Sequence, residues 1–346
     1  MMATKTNPGR FFEDYAIGQV INHAVPRTVS GGERALYHAL YPARHALASS
    51  DEFARACGLR ASPLDELIGF HIVFGKTVPD ISLNAVANLG YAEGRFRLPV
   101  WPGDTLRAQS EVIGLKQNSS GTSGVVYVRT TGLNQRDDVV LDYVRWVMVR
   151  KARTDAPAPE TVIPDLAPVV APENLMIPEG LDFTNYDFGL AGEPHRFADY
   201  AIGEVIDHID SVTLTEAEHM MATRLWQNTS RVHYDASLRT DGKRLIYGGH
   251  IISMARALSF NGLANAQMIA GLNAGAHANP CFAGDTIRAW SQVLDKADTP
   301  APGIGALRLR LVAMKHGGTV GDLKDADGKY HPDVLLDLDY WALVPL

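Results

Sequence analysis

An internal repeat constrains the fold of this chain more than any other feature. Residues 12–23 (FEDYAIGQVINH) recur as residues 197–208 (FADYAIGEVIDH), with 185 positions between equivalent residues. Two further pairs of segments match: 102–108 with 283–289, and 141–146 with 336–341. A repeat of this length is a whole domain, and two copies are too few for a solenoid. The sequence therefore predicts two similar domains in tandem.

A proline-rich segment separates the two copies. Residues 154–195 contain seven prolines, and proline disrupts both helix interiors and central strands. We therefore expect an N-terminal domain at 1–153, an irregular linker at 154–195 that lies over the surface, and a C-terminal domain at 196–346.

Composition and charge exclude several classes of protein. The 346 residues are 46% hydrophobic, which gives each domain enough apolar material for a core. A net charge of −7 without a basic run disfavours a nucleic-acid partner. No signal-peptide core opens the chain and no stretch stays apolar for the roughly 20 residues of a membrane helix, so we expect a cytoplasmic protein. Cys57 and Cys281 lie outside any metal-binding pattern, and we expect neither a metal site nor a disulfide scaffold.

Both copies carry the same helix-start signal. Ser30 with Glu33, and Thr215 with Glu218, have the spacing of a capping box, in which a hydroxyl and an acid satisfy the first N–H groups of a helix. We expect both glutamates to be structural, not catalytic. A further helix is predicted over residues 248–258, and its apolar residues on nearly every side indicate that it is buried.

Strand-like segments with Gly, Asp and Asn in the turns between them occur in both copies. They are residues 105–113, 124–130 and 139–149 in the first copy, and 286–293, 306–312 and 334–344 in the second. The pattern predicts one central helix against a long antiparallel sheet in each half, and therefore an α+β protein.

Longer segments resemble the MaoC-like dehydratase family, also known as the (R)-specific enoyl-CoA hydratases. They are residues 70–91, 141–150, 227–235 and 247–250. The resemblance extends over essentially the whole chain and implies a tandem hotdog fold, in which each half wraps a curved antiparallel sheet around a central helix. It also implies reversible hydration of an enoyl-CoA, with an acyl-CoA as the substrate and no separate cofactor.

The family signature, Asp-x-Asn-Pro-x-His, places a catalytic pair in the second copy. Asn228 and His233 stand at its first and last positions, and the equivalent residues of the first copy are Ala43 and Ala48. The resemblance therefore assigns catalysis to the C-terminal half and a pocket-shaping role to the N-terminal half. Because an amide cannot accept a proton at neutral pH, we expect His233 to transfer the proton and Asn228 to position the water.

Two glycines before the buried helix suit an oxyanion hole. Free N–H groups at a helix N-terminus favour negative charge, and glycine allows close approach. We expect the N–H of Gly249 or His250 to bind the thioester oxygen, with Gly248 beside it. The alternative is that the glycines only form the turn into the helix. His71 matches His250 in the first copy, which predicts a shared role at the helix start.

The narrower resemblance is to family members whose substrate carries a free carboxylate, a group that a guanidinium binds well. Arg231 is the first candidate for this role and Arg44 the second. Lys76 and Arg95 are candidates for binding the phosphates of CoA.

Three alternative functions stay open. The chain could dehydrate a different 3-hydroxyacyl-CoA, or it could be a non-catalytic acyl-CoA-binding module, because Asn228 replaces the acid of the signature. A thioesterase is disfavoured, since hotdog thioesterases usually carry an acid on the central helix, and residues 248–258 contain none. Assembly into a homodimer is compatible with a tandem hotdog.

Overall fold

The computed structural model describes residues 5–346, and its main element is one antiparallel sheet of ten strands. The strands are β1 (Val20–Thr28), β2 (Ala85–Phe96), β3 (Thr105–Gln117), β4 (Ser123–Leu133), β5 (Val139–Arg150), β6 (Val205–Thr213), β7 (Met268–His277), β8 (Thr286–Asp298), β9 (Ile304–Lys315) and β10 (Val334–Pro345). The helices are α1 (Gly31–Leu40), α2 (Ala46–Ser49), α3 (Asp51–Ala56), α4 (Glu66–Thr77), α5 (Phe188–Ala191), α6 (Glu216–Leu225), α7 (Arg231–Tyr234), α8 (Gly248–Leu258) and α9 (Phe260–Leu263). Within the described residues, none of these helices is long and apolar enough to cross a membrane.

The strand order is the same in both halves. It runs β1-β3-β4-β5-β2 through the N-terminal half and β7-β10-β9-β8-β6 through the C-terminal half, so the halves meet at β2 and β7. That junction pairs Tyr91 with Gly275 and Arg95 with Gly271. All six predicted strands are present and extend slightly beyond their predicted ends. The predicted α+β class is confirmed, with both halves sharing one continuous sheet.

The capping boxes predicted at the two matched helix starts are confirmed. At α1 the N–H of Ser30 donates to Glu33 Oε2 at 2.7 Å, and Ser30 Oγ accepts from the N–H of Gly32 at 3.1 Å. At α6 the N–H of Thr215 donates to Glu218 Oε1 at 3.0 Å, and Thr215 Oγ1 accepts from the N–H of Glu218 at 3.3 Å. Both carboxylates therefore stabilise helix starts.

Two buried helices, α4 and α8, form the centres of the two halves. Residues 67–77 of α4 and 249–257 of α8 are all buried, as expected for helices that are apolar on every side. The halves meet where His71 Nε2 lies 2.7 Å from Ser253 Oγ and His71 Nδ1 lies 3.2 Å from the Tyr247 hydroxyl. His71 is in the middle of α4, so its predicted role at a helix start is wrong. It links the two halves instead.

The segment 154–195 has an irregular backbone but does not simply lie over the surface. Val170, Met176, Leu181, Phe183 and Tyr186 are all buried and belong to the main hydrophobic core. Much of the segment is exposed or half-buried, as expected of a surface course, but these side chains attach it to the core. Proline prevents regular hydrogen bonding but not burial, so the apolar side chains between the prolines pack into the core.

Two glycines of α4 offer a matched test of this packing. A Cβ on Gly75 would lie 1.8 Å from the carbonyl oxygen of Trp226, whereas a Cβ on Gly69 would make ordinary contact with Val100 at 3.4 Å. We expect Gly75→Ala to lower the free energy of unfolding by about 1–3 kcal/mol or more, because the backbone of the next segment must move. Gly69→Ala should raise the free energy of unfolding by about 1 kcal/mol or less.

Urea denaturation followed by circular dichroism measures both variants. Equal stability of the two variants would contradict the close approach of α4 to the end of α6.

Candidate active site

A cavity of about 280 Å³ lies between the two halves. Phe74 of α4 and Arg145 of β5 line it from the N-terminal half, and Asn228, His233 and His277 line it from the C-terminal half. Most of the remaining wall is apolar, which is typical of a small-molecule site with a few polar groups. The predicted catalytic pair therefore shares one cavity.

The short helix α7, which contains His233, has a counterpart in the N-terminal half. Both α7 and α2 are four residues long, and their first residues, Arg231 and Ala46, are 185 positions apart. The helices themselves thus repeat with the spacing of the sequence. Ala48 occupies the position of His233 and is buried, so the N-terminal half has no imidazole at this position.

Asn228 is held so that its amide N–H₂ group is free. The residue is 1% exposed, and its own N–H donates to the carbonyl of Thr223 at 2.9 Å. Its Oδ1 accepts from the N–H of Ser230 at 3.2 Å, which fixes the orientation of the amide because only the oxygen can accept. Nδ2 makes no hydrogen bond within residues 5–346 and is the atom available to a ligand. Asn228 can therefore donate a hydrogen bond to a bound water.

His233 is neutral and presents a lone pair. Its Nδ1 donates to the carbonyl of Leu245 at 2.8 Å, and this bond places the proton on Nδ1 and leaves Nε2 as an acceptor. Burial lowers the pKa of His233 to about 4. At neutral pH the imidazole can accept a proton from water.

A second histidine of the cavity, His277, lies at the end of β7. Its Nε2 is 3.1 Å from the Tyr91 hydroxyl of β2. Burial, and then the nearby His233, lower the pKa of His277 to about 4. The cavity therefore holds two neutral imidazoles, one from α7 and one from the central sheet.

The two glycines at the start of α8 are closely covered by rings. A Cβ on Gly248 would lie 2.4 Å from His277 Cε1, and a Cβ on Gly249 would lie 2.4 Å from the ring of Tyr247. Gly248 lines the cavity and Gly249 does not. The first N–H groups of a helix have no intrahelical acceptor, and the N–H of Gly248 makes no other hydrogen bond within residues 5–346. Gly248 is therefore the better candidate for the oxyanion donor.

His250 does not take part in this site. Its side chain is fully buried outside the cavity wall, with Nδ1 2.9 Å from the Tyr41 hydroxyl and Nε2 3.7 Å from Glu218 Oε1. Its N–H donates to the carbonyl of Tyr247 at 2.9 Å. The predicted catalytic role of His250 is wrong for both the side chain and the backbone.

The two arginines predicted to bind a carboxylate lie outside the cavity wall. The guanidinium of Arg231 donates to Asn84 Oδ1 at 2.8 Å and to the carbonyl of Pro8 at 3.1 Å. Arg44 is exposed, with its guanidinium carbon 4.4 Å from the centre of the Phe260 ring. These contacts with other residues of the protein give a carboxylate-binding role of Arg231 or Arg44 no support.

The two candidates for phosphate binding also lie outside the cavity wall. Lys76 is 3% exposed and its ammonium donates to the carbonyl of Val25. Burial lowers the pKa of Lys76 to about 8, and a buried ammonium that already donates to the backbone gives a phosphate-binding role no support. Arg95 is ion-paired with Glu93 and Asp142, both at 3.7 Å, and this pairing gives a phosphate role no support.

The sequence did not predict that the cavity wall would include Arg145, Tyr91 and His277. Arg145 carried a partial signal, because the repeat aligns it with Tyr340 between matched Leu-Asp and Trp positions, although the two residues before it differ as well. His277 and Tyr91 carried none, since their contact depends on the pairing of β2 with β7. Among residues 5–346, no group of three or more His, Cys, Asp or Glu side chains is placed to bind a metal ion.

Comparison with known proteins decides the family. A family model described as mesaconyl-CoA hydratase matches residues 2–319. The chain belongs to the mesaconyl-CoA hydratase family. A mesaconyl-CoA hydratase of Cereibacter sphaeroides is 75% identical over 99% of both chains, and a β-methylmalyl-CoA dehydratase of Chloroflexus aurantiacus is 56% identical over 99% of both.

Solved structures of similar proteins have the same fold. A MaoC domain protein dehydratase from Chloroflexus aurantiacus is 56% identical and superimposes with a TM-score of 0.97 over 99% of both chains. A Mycobacterium tuberculosis protein described as having a double hotdog fold is 25% identical, with a TM-score of 0.76 over 97% of this chain and 98% of that one. The predicted tandem hotdog is confirmed.

The low pKa of His233 sets the pH dependence expected of this mesaconyl-CoA hydratase family member. The predicted base is the neutral imidazole of His233, which becomes protonated only near pH 4. We therefore expect kcat/KM for hydration to stay level from about pH 8 to about pH 5, whereas a histidine with the ordinary pKa of about 6.5 would lose activity across that range. Initial rates of enoyl-CoA consumption measure this, with circular dichroism at each pH to exclude unfolding. A midpoint near pH 6.5 would contradict the buried state of His233.

Proposed function

We propose that the protein catalyses the reversible addition of water to mesaconyl-CoA, giving β-methylmalyl-CoA. The observation that carries this proposal is the pairing of a free amide donor, Asn228, with a neutral imidazole acceptor, His233, in one largely apolar cavity. The chain is also 75% identical to a mesaconyl-CoA hydratase over its full length. The reaction is a hydro-lyase reaction that needs no cofactor beyond the CoA of the substrate.

The two side chains have complementary roles toward one water molecule. The water accepts a hydrogen bond from Asn228 Nδ2 and donates one to His233 Nε2, which leaves a lone pair of its oxygen for the carbon–carbon double bond. As the oxygen bonds to the carbon β to the thioester, its proton passes to Nε2. The resulting imidazolium then gives a proton to the α carbon. A pKa near 4 makes His233 a weaker base but its protonated form a stronger acid, which favours this second step.

Negative charge develops on the thioester oxygen during the addition. The N–H of Gly248 lies at the positive end of α8 and is available to donate to that oxygen. We therefore assign the oxyanion contact to Gly248.

The cavity gives no support to thioester hydrolysis. Residues 248–258 of α8 contain no acid. The acid at the start of the other central helix, Glu66, accepts from the N–H of Ile269 at 3.0 Å and lies outside the cavity wall. A non-catalytic binding module would not need the imidazole of His233 held with its lone pair free. The cytoplasmic location and the homodimer stay predictions from the sequence.

Hydration is tested by following the absorbance of the enoyl thioester when mesaconyl-CoA is mixed with purified protein. We expect absorbance to fall with the wild type. His233→Ala should lower kcat/KM by about 10²–10⁴-fold, because it removes the group that transfers the proton. Asn228→Ala should lower it by about 10-fold or more through loss of the water contact. His316→Ala, at an exposed histidine outside the cavity, is the matched control and should not change the rate.

Other outcomes identify the alternatives. A clear preference for crotonyl-CoA over mesaconyl-CoA would favour a dehydratase of another acyl chain. Release of free thiol would indicate a thioesterase, and binding of acyl-CoA without turnover would indicate a non-catalytic module.

A further inference from the structure

Arg145 of β5 is a buried positive charge in the wall of the cavity and has no acidic partner within the described chain. The residue is 0% exposed and lines the cavity wall. Its Nη2 donates to Thr77 Oγ1 at 2.7 Å, and Ser82 Oγ lies 3.5 Å away. Its Nε and Nη1 are also covered, yet neither makes a hydrogen bond with any residue of the described chain. A buried charge without a partner is strongly unfavourable, so this arrangement calls for an anion.

Arg145 has no carboxylate partner among residues 5–346. Asp142 is on the same strand but on its opposite face, where it pairs with Arg97 Nε at 2.8 Å. The neighbours of Arg145 are instead aromatic. Its guanidinium carbon lies 4.2 Å from the centre of the Phe74 ring, and Tyr91 is its partner across the strands. The Phe74 ring orients the guanidinium without supplying an anion.

The arginine occurs in only one of the two repeats. The matched segments 141–146 and 336–341 place Tyr340 at the position of Arg145. The cavity that contains Arg145 is the one that contains Asn228 and His233. A positive charge and the catalytic pair are therefore found together, as expected if both act on the same substrate.

We propose that Arg145 binds the free carboxylate of the acyl group and selects for a dicarboxylic enoyl thioester. The inference rests on the proposed function, in which water adds to the carbon that carries this carboxylate. The carboxylate must then lie in the same cavity as Asn228 and His233. Nη1 of the guanidinium makes no hydrogen bond within the described chain and can donate to a carboxylate oxygen, so Arg145 takes the role that Arg231 does not fill.

Two saturated thioesters separate carboxylate binding from catalysis. Succinyl-CoA and butyryl-CoA differ only in a terminal carboxylate or methyl group, and neither can be hydrated. We expect wild-type protein to bind succinyl-CoA more tightly, and Arg145→Gln to lose about 10- to 100-fold of that preference, the size expected for a hydrogen bond to a charged group. Isothermal titration gives both dissociation constants. Arg231→Gln is the matched control and should keep the wild-type preference.

Arg145→Lys serves as a second variant because it retains a positive charge in the cavity. It should lose less of the preference than the glutamine variant, since a point charge replaces the planar fork. The ratio of the two dissociation constants is measured on one preparation, so a partly unfolded variant does not distort it.

The outcomes for Arg145 and for the proposed function are distinguishable. If both Arg145 variants weaken succinyl-CoA and butyryl-CoA equally, Arg145 acts on the thioester or on CoA and the inference is overturned, even where the wild type hydrates mesaconyl-CoA. If the preference is lost in the variants but the wild type leaves mesaconyl-CoA unchanged, the carboxylate site stands and the proposed reaction fails.

Discussion

The pairing of β2 with β7 is the contact on which the rest of the structure depends. It joins two five-stranded sheets into one and fixes the relative position of the two halves. The close approach of the strands requires glycine, because a Cβ on Gly94 would lie 2.8 Å from the Cβ of Leu272. The same pairing sets Tyr91 beside His277 at the cavity. A site whose walls come from both halves exists only while these two strands are paired.

Burial in an apolar interior determines the charge state of the site. It lowers the pKa of His71 to about 3 and those of His233 and His277 to about 4. All three imidazoles are therefore neutral at pH 7, and the unpaired charge in the cavity wall is that of Arg145. The described interior thus offers a hydrogen-bond acceptor for water and a cation for an anionic substrate, with little competition from bulk solvent.

How much could be predicted from the sequence depended on how local the information was. The capping boxes, the buried helix α8 and the six strands followed from short segments that the repeat presented twice. Asn228 and His233 were also predictable, since they lie within one short segment. His250 and Lys76 were misjudged because helices that are apolar on all sides give no indication of which face meets the cavity.

Long-range contacts could not be predicted, because they depend on residues that lie far apart in the sequence. Arg145, Tyr91 and His277 come from different strands, and only the register of the sheet brings them to one cavity. The burial of Val170, Phe183 and Tyr186 was equally hidden, because proline content reports on backbone hydrogen bonding and not on whether the side chains between prolines find an apolar surface. Packing against the core determines which of these side chains are buried.

The covalent connection between the halves has an evolutionary consequence. In a dimer of identical hotdogs, any substitution appears at both sites at once, so a change that suits one site must be tolerated by the other. The segment 154–195 places both hotdogs in one chain, and each position can then vary alone. The position equivalent to His233 is Ala48, and the position equivalent to Arg145 is Tyr340; both are differences of this kind. Fusion thereby allowed one site to specialise while the equivalent region became part of the scaffold.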